Sequence, residues 1–267
     1  MRNCEAILFE CAELENRILI DILDEGVSTK AKNVVYKIIN TLYEAILSII
    51  DDIQVTLYGF KKLENKWLDA KLDDVKNIKV SKRIAGTSFK EIFDFFENEM
   101  VKTMRVTQHQ MVSKNSDSEE IHYSIFLHNI TDFEGDKINK KDFVKKLNEY
   151  FQTSSNREYS GNEIKIDSII LNDIKNAVIN IDKSSGYLAK LRKIKIETKT
   201  LYKVTLKALD GVFSSLGVAD EEAVTEIKKT SKAALSAEML ALNTLHKYII
   251  DYYKELSKIN ISKSNEN

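Results

Sequence analysis

Proline is missing altogether from the 267 residues, and only eight are glycine. Ordinary usage of about 5% would place roughly a dozen prolines in a chain of this length. Pro-rich linkers are therefore excluded, and with both common helix breakers scarce the sequence favours long helices. Cysteine is nearly absent too: Cys4 and Cys11 are the only two. Seven residues apart on one helix, they are separated by about 10 Å of rise and cannot bridge. They are read as reduced, apolar side chains. No charge sign dominates, since 40 basic residues face 41 acidic ones for a net charge of −1. That balance removes any bulk attraction to nucleic acid or anionic lipid, and no specific nucleic-acid contact is predicted. A long hydrophobic run is lacking as well. The most apolar stretch, Ile38 to Ile50 (IINTLYEAILSII), is shorter than the ~20 residues of a membrane span and is expected to be a buried core helix. Glutamates at 5, 10, 13 and 15 interrupt the first apolar residues, so a secretory leader is not expected there.

The motifs of common catalytic sites are missing. There is no GxxxxGK[ST], GxGxxG or GxSxG, which leaves phosphate cradles and nucleophile elbows without support. Of the four histidines, His109, His122 and His128 cluster and His246 stands apart, none at HxxxH spacing. On a strand His122 and His128 would share a face, but packing or surface roles are preferred to metal ligation. The acidic stretch Asp132-Phe-Glu134-Gly135-Asp136 lacks the ligand spacing of a calcium loop and is expected to be a turn. The basic stretch KLRKIKIETK, Lys190 to Lys199, is expected to be a solvated helix face, because Ile and Leu interrupt its charge. No catalytic, cofactor-binding or metal-ligating residue is assigned, and the chain is not expected to be an enzyme.

What is present is helical periodicity. The spacing predicts a mainly α fold of long antiparallel helices in a bundle with a small irregular or β-containing insertion. Three parts are expected: 1–105, an N-terminal helical layer with one very long helix; 106–136, the insertion; and 137–267, a C-terminal helical bundle. Residues 4–24 form a first helix ending at Gly26. Ser28 or Thr29 caps the next, in which Val35 through Leu57 keep one apolar face, and if that helix continues through Lys76 it nears 48 residues, about 70 Å. Ile84-Ala85-Gly86-Thr87 is expected to be a turn. Ser88 then caps a helix whose Phe89, Ile92, Phe93 and Phe96 make a stripe. Ile121 to Leu127 reads as a β-like run inside the insertion, and Ile138 to Phe151 as a helix. Glu163 to Ser168 is a short extended piece. Helices follow over Ile169–Asp182, Ser185–Leu209 and Asp220–Ile259, with Gly211 and Gly217 beside the second junction. Small residues at Ala233, Ala234, Ala237 and Ala241 permit close helix approach.

The only tryptophan lies in the densest run of charge, KKLENKWLDAKLDDVKN from Lys61 to Asn77. Lys61 with Glu64, Lys66 with Asp69, Lys71 with Asp74 and Asp73 with Lys76 are i,i+3 pairs of opposite charge. The segment is a surface-facing helix with one anchored side, and Leu63, Trp67, Leu68 and Val75 are the candidate packing or interface anchors. An internal contact is favoured over a partner subunit, with the indole N–H expected to find an acceptor.

Three stretches carry a resemblance in residue class: KLENKWLDAKLDDVKNI after the apolar helix; DKINKKDFVKKLNEYF with NEIKIDSIILNDI; and KAALSAEMLALNTLHKYIIDYYKEL. In their order and pattern they resemble helical virion structural proteins of large tailed bacteriophages of low-GC Gram-positive hosts. They cover about a third of the chain. The resemblance implies a non-enzymatic head-associated or internal component of the virion, made in the host bacterial cytoplasm. Its partners would be other virion proteins, with self-association as a further contact. Leu23-Asp24-Glu25 is similar to the Leu-x-Glu sites trimmed by phage prohead proteases, although a helix ending at glycine is the preferred explanation. A second class of function is a soluble helical toxin-like protein that inserts the Ile38–Ile50 helix into membranes.

Overall fold

The computed structural model describes residues 60–99, 118–161, 163–180, 186–200 and 221–261, all within one compact unit, Phe60–Asn267. The helix ending at Gly26, the apolar rod from Val35 to Leu57, both cysteines, the Leu23-Asp24-Glu25 triplet and the junction glycines Gly211 and Gly217 lie outside the described residues. Those residues are mainly helical with one two-stranded antiparallel sheet, which bears out the mainly α class.

The charged rod breaks earlier than its periodicity suggests. Helix α1 spans Phe60–Leu68, and a single turn, α2, follows at Leu72–Val75. At 100° per residue, an unbroken helix would point Asp74 within about 20° of Trp67, into the protein, and turn Val75 about 80° aside. The break reverses this. Val75 is buried, and Asp74 accepts a hydrogen bond from the Lys71 amide at 2.9 Å.

Strand β1, Lys79–Val80, pairs with β2, Ile164–Lys165, in the register Lys79 to Lys165 and Val80 to Ile164. The second strand falls in the expected extended piece; the first carried no strand signal, being two residues long. Val80 and Ile164 are buried, while Lys79 and Lys165 face outward as opposed like charges. Glu163 offsets them by bonding the Lys79 amine at 2.7 Å.

Ile84 to Thr87 is not a bare turn. Ser81 caps a short helix, α3, Lys82–Gly86, by accepting from the Ile84 amide. Helix α4, Phe89–Asp94, is capped by Ser88 as its sequence predicts, and continues as a π-helical turn, Phe95–Glu99. Its stripe of Phe89, Ile92, Phe93 and Phe96 is buried.

The β-like run is helical: Ile121–Leu127 lies inside α5, Glu119–His128. Its β-branched and aromatic residues favour strands only weakly, and packing decides. Tyr123, Phe126 and Leu127 fall at i, i+3 and i+4 and are buried, on a helix packed against α6, Lys140–Thr153, and α9, Glu221–Lys258. Asn139 caps α6 by accepting from the Asp142 amide, and Phe143, Leu147 and Phe151 form its fully buried stripe. Helix α7, Ser168–Ile179, begins at Asp167, whose carboxylate accepts from the amides of Ile169 and Ile170. Helix α8 is described over 187–200.

The core is organised by α9, whose 38 residues run about 57 Å. It packs against α5, α6, α3 and α1, while α7 packs against α1 and α3. Ala233, Ala234, Ala237 and Ala241 are all buried, as their small size allows, and Tyr248, Ile249, Tyr252 and Tyr253 fill the wider part. Phe89 lies edge-on to Tyr252 at 4.9 Å, and Phe151 meets Tyr248 at 5.1 Å.

Candidate functional site

The four candidate anchors divide. Leu63, Trp67 and Val75 are buried and Leu68 is half-buried. Trp67 is 0% exposed, so its helix spends this face on the protein's own interior, where α1 meets α7 and α9. The expected acceptor is not there: the indole Nε1 has no hydrogen-bond partner among the described residues. Lys66, one residue before, donates to the backbone carbonyl of Ile259 and ties α1 to the segment beyond α9.

The histidine expectations change with the β-like run. On a helix, residues six apart are about 120° around the axis, so His122 and His128 do not share a face. His122 is buried, whereas His128 is exposed, lies 5.7 Å from the Phe133 ring and contacts the Gly135 carbonyl at 3.2 Å. Ser124 donates to that same carbonyl. The acidic stretch around Glu134 thus acts as a turn clasped to α5. Among the described residues no three His, Cys, Asp or Glu side chains gather as metal ligands.

A cleft of about 1140 Å³ opens between α4, α6 and this turn. Glu91, Asp94, Asp132, Glu134 and Glu149 line it with the rings of Phe95, Phe133 and Tyr150. Much of its charge is already matched: Lys90 bonds Asp94 at 2.8 Å and lies 3.5 Å from Glu91, and Lys146 lies 3.4 Å from Glu149. Burial, with Glu91 nearby, pushes the Tyr150 phenol up. Ser154, on its floor, donates to the Phe151 carbonyl and accepts from the Ser88 amide. Its hydroxyl is a structural pin between α6 and α4.

The basic stretch departs furthest from its sequence. Lys195 and Lys199 are 3% and 4% exposed, beside buried Leu191, Ile194 and Thr198, while Ile196 on the other side is 39% exposed. Burial lowers the Lys199 amine to about 7. Arg192, Lys195 and Lys199 each have interactions of their own. His246 of α9 stands near this group: burial, then Lys195 and Arg192, push its imidazole down to about 3. In the sequence His246 stands apart from the other three histidines. The only signal that pointed to it was its place in the apolar stretch LALNTLHKYII, where a polar ring at helical spacing must face the core.

Among the described residues no helix is long and apolar enough to cross a membrane. No protein-family profile, no curated protein and no solved structure matches the chain.

Proposed function

We propose that this chain is a non-enzymatic structural or assembly component of a tailed-phage particle, head-associated or internal, that works through contacts of its helices with other virion proteins. One observation supports the reading. The three stretches that carry the likeness to virion proteins are not scattered over the fold: they form α1 and α2, then α6 with β2 and α7, then α9. These elements pack on one another, α7 on α1 and α9 on both α6 and α1. The shared pattern therefore corresponds to a physical framework. Because Trp67 and its neighbours are used internally, the partner surface on this reading lies elsewhere than the first anchor stretch. Mass spectrometry of purified particles tests it: the polypeptide is expected at a fixed copy number after stringent washing, and its absence from particles would overturn the proposal.

A further inference from the structure

The cleft between α4, α6 and the turn after α5 holds about 1140 Å³, above the roughly 300–1,000 Å³ of pockets for small molecules. Carboxylates enter it from three separate elements: Glu91 and Asp94 from α4, Glu149 from α6, and Asp132 and Glu134 from the turn. Lys146 is the only base in its lining. The lysines that meet Glu91, Asp94 and Glu149 sit on the same helix as their carboxylate, within about one turn of it. Such exposed pairs contribute little and rearrange readily. Asp132 and Glu134 are exposed, with no ion pair or hydrogen bond to either carboxylate among the described residues. Like charges are thus brought together around one space, which costs the fold stability that a bound cation would restore. Their field reaches the Tyr150 ring, where Glu91 adds to burial in pushing the phenol up.

Between the carboxylates the lining is aromatic. Phe95, Phe133 and Tyr150 are half-buried; Phe95 meets Tyr150 edge to face at 6.1 Å, and Phe133 lies 5.7 Å from the His128 ring. Lysine and arginine combine a cationic head with an apolar stem, so the head suits the carboxylates or a ring face while the stem lies along the rings. The frame is already in place: Ser154 accepts from the Ser88 amide at 2.8 Å, and Ser124 holds the Gly135 carbonyl of the turn. Little ordering is then required on binding. We propose that this cleft is a docking groove for a basic segment of a partner protein, whose lysine or arginine heads pair with Asp132 and Glu134 and whose stems lie on Phe95, Phe133 and Tyr150. Size and charge together select this occupant. A small amine leaves most of the space empty, and a neutral or acidic segment leaves Asp132 and Glu134 unmatched. On the phage reading the segment belongs to another virion protein, but the inference does not rest on that reading, which particle mass spectrometry tests separately.

Fluorescence anisotropy with the intact chain tests this, using a labelled short peptide of alternating lysine and alanine as the probe and its glutamate counterpart as the control. Saturable binding of the lysine peptide alone is expected. Asp132→Asn with Glu134→Gln, which removes exposed carboxylates that hold nothing in the fold, should weaken it by about five- to thirtyfold. Asp73→Asn with Glu197→Gln makes the same change in net charge on α2 and α8, outside the cleft, and should leave the affinity unchanged. Equal weakening by the two double variants would reduce the binding to general charge attraction and overturn the proposal. So would the absence of saturation by about 1 mM peptide, or equal binding of the glutamate peptide. Unlabelled spermidine should displace the probe only at far higher concentration than unlabelled lysine peptide; displacement at equal concentration would make the cleft a small-amine site and reject the segment.

Discussion

A fully buried indole whose N–H has no acceptor among the described residues contributes through shape and area, so Trp67 is expected to behave as a large hydrocarbon. Trp67→Ala should cost about 3 to 5 kcal/mol by emptying its site. Trp67→Phe should cost far less, since no hydrogen bond is lost with the indole. Chemical denaturation of both variants checks the difference, and a similar cost for the two would show that the N–H is paired after all. As the only tryptophan, it should also emit at short wavelength until the chain unfolds. That this residue is anchored was legible from Leu63 and Trp67 at i, i+4. That no described residue accepts from its N–H was not, because the partner of a side chain is set by segments far away in sequence. Gly86 makes a second prediction at this scale. A Cβ there would sit 2.0 Å from the Gln152 carbonyl oxygen, a backbone atom that cannot swing aside. Gly86→Ala should therefore destabilise by about 1 to 3 kcal/mol, as overpacking does, and lower the thermal midpoint in calorimetry.

At the scale of elements the cap at Ser88 was legible, a hydroxyl before an apolar-periodic run that accepts from the Glu91 amide. Asp167, expected at the end of an extended piece, also starts a helix, accepting from the amides of Ile169 and Ile170. Asp167→Ala should cost about 0.5 to 2 kcal/mol, with Asp167→Asn retaining most of it; equilibrium urea titrations of the pair distinguish a cap from a charge effect. Helix α5 was illegible for a definite reason. Ile121, Tyr123 and Ile125 alternate with His122, Ser124 and Phe126, which mimics a strand, yet the two faces offered by α6 and α9 require the i, i+3, i+4 set Tyr123, Phe126, Leu127. Similarly, the Ile and Leu of α8 suggest a solvated face for its lysines, while the structure buries Lys195 and Lys199 and leaves Ile196 39% exposed. Charge in a buried face is visible only once the opposing element is known.

At the scale of the whole unit, one helix closes the core. Helix α9 contributes the rings that receive Phe89 and Phe151, the hydroxyl of Tyr248 that bonds Thr87 at 2.6 Å, and that of Tyr253 that donates to the Ala177 carbonyl at 2.6 Å. A chain ending at residue 220, without α9, should leave α5, α6 and α3 with uncovered apolar faces. It is expected to show reduced far-ultraviolet ellipticity per residue and rapid digestion by trypsin; a compact, protease-resistant product would contradict the central role of this helix.

The 84-residue reach from Val80 to Ile164 in the small sheet, and the longer reach from Phe89 to Tyr252, also fix an order in time. Segments that a ribosome delivers early, α1 to α7, pack in part on one another, but their covering surface is complete only when residues up to Lys258 have emerged. At about 5–20 residues per second, the stretch from Phe60 to Lys258 takes roughly ten to forty seconds to make. During that interval Phe89 and Phe151 lack the tyrosines of α9 that cover them, so the nascent chain should be held by chaperones that bind exposed aromatic segments, and its yield should depend more on their supply than on the stability of the finished fold.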